Sequence, residues 1–182
     1  ADKYTNYGQL ELIETQTVSS AVAQVDFTSL QESKYNVHFI TVNDIQFSGT
    51  NIGNLAFRFF ESGVLESGNA YDIAYQRMSS AGTFTETKAI SYNHLRITTA
   101  SGNGGISNGY SYFYNLGDST KYSFHTMHNT LTLNGGSTGA SQFGSGVMKQ
   151  ASVVDGIRFF DSAASQNIAN ATFSLYGIKE YS

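Results

Sequence analysis

The chain of 182 residues contains no cysteine, no proline and no tryptophan. Without cysteine it can form neither a disulfide framework nor a thiolate metal site. Charged residues make up only 13%, about half of the usual share, and the formal net charge is -4. Because phosphate binding requires a basic surface, this charge and the lack of any window rich in lysine and arginine argue against a nucleic-acid partner.

Long apolar runs are also absent from the sequence. No segment approaches the length of a membrane span, and the first residues, ADKYTNYGQLELIE, lack the apolar stretch of a secretory signal peptide. No linker composition divides the chain. We therefore expect a single domain over residues 1–182, long enough to bury a hydrophobic core.

Aromatic residues and glycine are abundant, with 12 tyrosines, 13 phenylalanines and 18 glycines. Apolar residues alternate with period two through much of the chain, and Gly, Asn and Ser interrupt the alternation roughly every 8–15 residues. This pattern indicates about ten strands. It predicts an all-β fold, specifically an antiparallel β-sandwich that is jelly-roll-like.

Glycine clusters predict where the strands are interrupted. The glycine-rich stretches at 100–109 and 134–146 are expected to be surface loops. Gly177 instead lies inside the last predicted strand. There it is expected to mark a bulge or a close backbone approach.

Two short segments, FRFFES and IRFFDS, repeat one another about a hundred residues apart. Their flanking residues do not match, which disfavours an internal duplication. We interpret them as two core strands that follow the same packing rule. Arg58 and Phe60 would then lie on the face away from the core, as would Arg158 and Phe160. Each guanidinium is expected to lie over the ring two residues along its own strand.

The histidines and carboxylates suggest no catalytic or metal site. His125 and His128 occur in the sequence HTMH, but residues at i and i+3 of a strand point to opposite faces and cannot share a metal ion. The acidic residues form no calcium-loop pattern and no recognisable pair for glycoside hydrolysis. The segment GNGG lacks the lysine of a phosphate loop. We therefore expect no cofactor, no metal and no enzymatic activity.

The strongest candidates for binding are Tyr110, Tyr112 and Tyr114, which share one face of a predicted strand. Three interpretations of this row are open. The favoured one places the rings in the sandwich core with their hydroxyls at its rim. The others make the row a protein interface, or a platform on which sugars or bases stack. Arg96, on another predicted strand, is grouped with the row as a candidate binding residue.

The ends of the chain resemble bacteriophage virion proteins, especially small tail or head-surface proteins of marine and cyanobacterial phages. At the C-terminus the resemblance is carried by VVDGIRFF, by the dipeptide NI and by ATFSLYGIK, in which Ala171 stands where a glycine is expected. Upstream it is carried by VDFTSLQESKYNV and LAFRFF. It covers residues 25–60 and 154–179 and implies a jelly-roll-like β-sandwich that belongs to a virion.

The leading hypothesis is therefore a virion structural protein, displayed on the phage particle as a head decoration or a tail component. Such a protein acts by protein–protein assembly. Its expected partners are other virion proteins and further copies of itself, with a trimer favoured. The alternative is a receptor-binding module that recognises host surface glycans. A polysaccharide-degrading enzyme is a third hypothesis.

Overall fold

The computed structural model describes residues 9–101, 104–133 and 135–179. Thirteen β-strands occupy these residues, and every pairing between them is antiparallel. The strands are β1 (Leu10–Val18), β2 (Gln24–Phe27), β3 (Val37–Phe47), β4 (Ile52–Glu61), β5 (Val64–Leu65), β6 (Tyr71–Ser79), β7 (Phe84–Tyr92), β8 (Leu95–Ser101), β9 (Ser107–Tyr114), β10 (Tyr122–Leu133), β11 (Thr138–Ala151), β12 (Val154–Asp161) and β13 (Ile168–Ile178). The predicted all-β class is confirmed, with three strands more than expected. Within these ranges no helix is long and apolar enough to cross a membrane.

The strands form two sheets. The larger sheet has the order β1-β13-β3-β9-β10-β11-β6-β7, and the smaller has the order β2-β12-β4-β5, with β8 also paired to β4. The jelly-roll connectivity is made by β1, β13, β3 and β9 of the larger sheet and by β2, β12, β4 and β8 of the smaller one. Two inserted hairpins, β6–β7 and β10–β11, extend the larger sheet by four strands.

The two sheets pack face to face through an aromatic core. The ring centroid of Phe57 on β4 lies 5.4 Å from that of Phe113 on β9, 5.8 Å from that of Phe159 on β12 and 5.3 Å from that of Phe59. Phe159 lies 5.1 Å from Phe173 on β13. All five side chains are fully buried. The rings meet edge-to-face or tilted, arrangements that add to the free energy gained by burial.

The inserted hairpin β6–β7 contributes its own part of this core. Tyr71, Ile73 and Tyr75 all lie on the buried face of β6, as their alternation predicts. The Tyr71 hydroxyl accepts a hydrogen bond from the Phe59 N–H at 3.1 Å and donates one to the Glu66 carbonyl at 3.0 Å. This buried hydroxyl therefore links the hairpin to the smaller sheet, and its burial raises the pKa of Tyr71.

The predicted loop at 134–146 is wrong, because most of it belongs to β11, a strand of 14 residues. Gly135 and Gly136 form the turn before the strand, with positive φ angles, whereas two glycines inside the strand serve close packing. A Cβ atom on Gly144 would overlap Tyr75 of β6, and one on Gly146 would overlap Leu95 of β8. Glycine is enriched here because neighbouring strands approach too closely for a side chain.

Close approach also explains the glycine in the last strand. The ring of Tyr35 lies against Gly177 and occupies the space that a Cβ atom would need. A side chain, and not the expected backbone segment, therefore approaches this glycine, and the register of β13 with β3 is regular at this point, without the expected bulge. The other glycine-rich stretch, 100–109, joins β8 to β9. Two of its residues, 102–103, lie outside the described part of the chain.

Candidate binding surface on the larger sheet

The tyrosine row lies on the outer face of the larger sheet. On β9, Ser111 and Phe113 take the inward positions and are fully buried. Tyr110, Tyr112 and Tyr114 therefore point outward; Tyr110 is 39% exposed, and the other two are half-buried. The favoured interpretation, in which these rings line the core, is wrong because Phe113 fills that space. The two surface interpretations stay open.

Neighbouring strands extend the row into a continuous aromatic surface. In the strand register Phe39 of β3 stands opposite Tyr112, and Tyr176 of β13 stands opposite Phe39. The centroid of the Phe39 ring lies 4.8 Å from that of Tyr112 and 6.2 Å from that of Tyr176. The aromatic face is defined here by six residues: Phe39, Tyr110, Tyr112, Tyr114, His128 and Tyr176. Phe39, His128 and Tyr176 lie on other strands, so the alternation within β9 does not identify them as part of this surface.

The tyrosine hydroxyls and the His128 imidazole of the aromatic face form only long hydrogen bonds within the protein. The Tyr110 hydroxyl lies 3.4 Å from Nδ1 of His128, and Nε2 of His128 lies 3.2 Å from the Ser141 hydroxyl. The Tyr114 hydroxyl lies 3.4 Å from that of Thr126. Hydrogen bonds of hydroxyl groups are usually shorter, near 2.8 Å. These groups can therefore bond to a partner without breaking a strong internal contact.

A polar hollow of about 320 Å3 adjoins the aromatic face at Tyr110. Its walls combine the Tyr110 and His128 rings with the side-chain amides of Asn43 and Asn108. One amide oxygen, Oδ1 of Asn108, already accepts a hydrogen bond from a backbone N–H at 2.9 Å. The volume is at the lower end of the range for small-molecule sites. A ring surface beside several amide and hydroxyl groups suits a small polar ligand with one apolar side.

An apolar groove of about 660 Å3 lies on the same outer face, over the inserted hairpins. Phe124, Val147 and Ile90 supply its large apolar side chains, and Ala74 and Ser145 are small residues between them. Phe124 stands opposite the last tyrosine of β9 in the β9–β10 register. The groove and the aromatic face therefore form one apolar band across the sheet.

Charged groups near this band are paired. Lys149 bonds to Asp72 beside the groove at 2.8 Å, and its hydrogen bond is the main cause of the lowered pKa of that carboxyl group. Lys121 bonds to Asp118 at 2.8 Å in the connection between β9 and β10. The band therefore presents a weak electrostatic field and suits an uncharged partner surface better than a strongly charged one.

Arg96 does not belong to this surface. It lies on β8 of the smaller sheet, where Nη1 donates to Oδ1 of Asn54 at 3.3 Å. Its guanidinium lies 5.7 Å from the centroid of the buried Tyr75 ring of β6. Grouping Arg96 with the tyrosine row is therefore wrong, because Arg96 links the smaller sheet to β6 of an inserted hairpin.

The two repeated arginines lie opposite each other in the register of β4 and β12. Arg58 lies 4.8 Å from the centroid of the Phe160 ring, and Arg158 lies 5.2 Å from that of Phe60. The expected pairing within each strand is wrong, because the antiparallel register brings the ring of the other strand within reach on the diagonal. Arg158 also forms a bidentate ion pair with Asp26 of β2, at 2.6 and 2.8 Å. These contacts tie β2, β12 and β4 together.

The histidines of HTMH project from opposite faces of β10, as strand geometry predicts. His125 is buried, whereas His128 is exposed on the aromatic face. Among the residues that the structure describes, no cluster of three or more His, Cys, Asp or Glu side chains could hold a metal ion. The outer histidine is therefore available for hydrogen bonding with a partner.

Three histidines, His38, His94 and His125, are buried. Burial lowers the pKa of His125 to about 3. Burial, together with the positive charges of Arg96 and Arg58, lowers the pKa of His94 to about 4. Burial lowers the pKa of His38 as well, and its Nε2 lies 2.8 Å from the carbonyl of Leu30. All three are neutral at pH 7.

Comparisons with known proteins add little to these observations. No protein-family model matches the sequence, and no curated protein matches it. Among solved structures, the chain matches the CBM2 module of the evolved Dit of Lactobacillus casei BL23 phage J-1, with 10% sequence identity over 96% of this chain and 82% of that chain. The TM-score is 0.26. So low a value carries no argument, and the interpretation rests on the residues described above.

Proposed function

We propose that the chain is a bacteriophage structural protein, displayed on the particle surface as a head decoration or a tail component, and that it acts by protein–protein assembly. The resemblance of its two ends to small virion proteins motivates this proposal. Residues 25–60 and 154–179 contain most of β2, β12 and β4, which are neighbours in the smaller sheet, and of β13 and β3, which are neighbours in the larger one. The two groups meet in the core, where the centroid of the Phe159 ring lies 5.1 Å from that of Phe173, so the similar segments form one contiguous part of the jelly roll.

The observation that favours assembly is the apolar band on the outer face of the larger sheet. An antiparallel sheet that faces water on one side normally carries polar side chains there. Here the aromatic face and the apolar groove lie side by side and carry few charges. Large exposed apolar patches mark interaction sites, and the centres of interfaces are rich in aromatic residues and poor in charged ones. The proposed occupant of this band is another virion protein.

Reconstitution of particles tests both parts of the proposal. Particles prepared without the protein are mixed with purified wild-type or variant chain and sedimented, and the bound chain is quantified. Tyr112→Ala removes the central ring of the aromatic face and should weaken binding about tenfold or more. Ile52→Ala, which removes an exposed apolar side chain from the smaller sheet, should bind like the wild type.

Two different results would count against the proposal. Normal binding of folded Tyr112→Ala would show that the aromatic face is not the contact surface. Mass spectrometry of purified virions that found no trace of the chain would reject the virion role itself.

The polar hollow favours a second candidate function, a receptor-binding module for host surface glycans. A sugar ring has an apolar face that can stack on the Tyr110 ring. Its hydroxyl groups could then bond to the side-chain amides of Asn43 and Asn108. The size of the hollow, about 320 Å3, suits one or two sugar units.

A glycan array followed by calorimetry tests this candidate. Tyr110→Ala removes the ring on which the sugar would stack and should abolish binding, whereas Tyr110→Phe keeps the ring and should keep most of the affinity. Tyr122→Ala removes an exposed tyrosine that does not line the hollow and is the matched control. Failure to bind any glycan, or unchanged binding by Tyr110→Ala, would remove this candidate.

The proposed function includes no catalytic activity. Incubation of the protein with host surface polysaccharide should therefore release no new reducing ends. Release of reducing ends would instead support the third hypothesis, a polysaccharide-degrading enzyme.

A further inference from the structure

The strand β7 forms an open edge of the larger sheet. Within the described residues it pairs with β6 alone, and the register between them is regular from Phe84 to Ala89. Proteins commonly protect such edges with proline, bulges, very short strands or charged side chains, especially lysine. β7 has nine residues, no proline and no bulge along this run, and its two charged residues, Glu86 and Lys88, are of opposite sign. By contrast, β1 at the opposite edge is interrupted by a register shift between Leu12 and Glu14.

The hairpin shows which backbone groups of β7 face the open edge. The Ser79 N–H donates to the Thr83 carbonyl at 3.0 Å. Bonded and non-bonded residue pairs alternate along an antiparallel ladder, so the odd-numbered residues of β7 bond to β6. Even-numbered residues, including Glu86 and Lys88, direct their N–H and C=O groups away from the sheet. These are the groups that another strand could use.

We propose that β7 pairs antiparallel with β7 of a second copy of the chain, about a two-fold axis at Thr87. This register sets Glu86 opposite Lys88 of the second copy, and the reverse pair follows by symmetry. Glu86 and Lys88 already bond within the strand at 2.7 Å, so the axis gathers two carboxylates and two ammonium groups in alternation. It also aligns the outward backbone groups of both strands and forms about eight hydrogen bonds.

Apolar side chains at both ends of β7 support the same register. Phe84 is 70% exposed and Ile90 is 81% exposed, large fractions for apolar side chains. Pairing about Thr87 sets Phe84 of each copy opposite Ile90 of the other. These side chains lie on the same face as Glu86 and Lys88, so apolar contacts flank the charged centre at both ends.

Other registers are less favourable. An axis at Glu86 would set two carboxylates directly opposite each other, and an axis at Lys88 would do the same with two ammonium groups. A register that pairs odd with even residues would misalign the outward backbone groups. An axis at Thr85 or Ala89 would set Glu86 or Lys88 opposite an apolar side chain. The charge pattern of β7 therefore favours a second copy of this chain in the register about Thr87. The inference does not rest on the proposed function, although Lys88 and Ile90 also line the apolar groove, so a second copy would border the apolar band.

A single introduced cysteine tests the axis directly, because the chain has no cysteine of its own. Two residues at the axis form a non-bonded pair with a Cα separation of about 4.5 Å, within the range that a disulfide bridges. Thr87→Cys should therefore form a disulfide-linked dimer under mild oxidation. Thr85→Cys is the matched control: it would lie about 14 Å from its own copy and should stay unlinked.

The mass of the protein in solution tests the dimer itself. Light scattering with size-exclusion chromatography should give a mass twice that of the 19.8 kDa chain, which is a dimer and not the trimer expected above.

Charge exchange tests the register. Lys88→Glu should weaken the dimer about tenfold or more, and the double variant Glu86→Lys with Lys88→Glu should restore it. A monomer or trimer in the wild type, or equal cross-linking of the two cysteine variants, would overturn the inference. The particle-binding test uses Tyr112→Ala, whose result does not depend on β7.

Discussion

Lowering the pH from about 7 to about 5 should destabilise the protein through its buried histidines. His125 illustrates the cause. The centroid of its ring lies 5.0 Å from that of Phe57 and 6.4 Å from that of Phe113, and its Nδ1 lies 3.3 Å from the Ser111 hydroxyl. An imidazolium in this position would lose its hydration without gaining a carboxylate. The folded protein therefore keeps His125 neutral.

The sign and the size of the effect follow from the two pKa values. In the folded protein the pKa of His125 is about 3, whereas in the unfolded chain it is about 6.5. The unfolded chain therefore binds a proton first as the pH falls, and stability decreases from about pH 6.5 toward the folded pKa. At about pH 5 the loss is about 2 kcal/mol for each such histidine. His94, with a pKa of about 4, contributes a similar loss.

Urea denaturation between about pH 7 and pH 5 measures this loss, since carboxyl groups of the unfolded chain titrate mainly below this window. His125→Gln is expected to be less stable at neutral pH but to lose about 2 kcal/mol less on acidification than the wild type. His128→Gln, on the exposed face of the same strand, should keep the full pH dependence. If His125→Gln kept it too, the argument from burial would be refuted.

Two further substitutions test the packing. Gly177→Ala places a methyl group against the Tyr35 ring and should lower the unfolding free energy by about 1–3 kcal/mol; Gly139→Ala, where the nearest atom is 4.0 Å away, should have little effect in the same urea titration. Phe57→Ala removes the ring at the centre of the core and should cost about 3–5 kcal/mol. A loss below about 1 kcal/mol would mean that the sheets do not meet at this ring.

The sequence predicts strands well where one face is apolar. Phe57 and Phe59 on β4, and Ile157 and Phe159 on β12, alternate with polar residues and are fully buried, as expected. Strand β1 was missed because its sequence, LELIETQTV, combines exposed leucines with acidic residues and shows no clear alternation. An edge strand needs fewer buried side chains, so its pattern is weak.

Register is the information that a single strand sequence lacks. The contacts of Arg58 and Arg158 with the ring of the other strand depend on β4 pairing with β12, a partner about a hundred residues away. The glycines of β11 led to the wrong prediction of a loop at 134–146 for a similar reason. Whether a glycine marks a turn or a close approach depends on a neighbouring strand that composition does not identify.

The candidate surface was predicted only in part. The alternation placed Tyr110, Tyr112 and Tyr114 on one face, but it could not decide whether that face is inside or outside. Both faces of β9 carry aromatic residues, three tyrosines on one and Phe113 on the other, and Phe113 takes the place in the core. Phe39 and Tyr176 join the surface only through strand pairing, although aromatic residues on both faces of β9 could have indicated an apolar outer surface.

The position of the last two strands has a consequence for how the chain folds. Within the described residues β1 pairs only with β13, and β2 pairs only with β12. Each of these early strands can therefore pair only after a strand near the end of the chain has been synthesised. The jelly roll cannot close during synthesis until the last strands have left the ribosome. Closing such long loops makes folding slow, and the early strands expose unpaired edges throughout that time. Aggregation during synthesis is therefore the hazard that accompanies this topology.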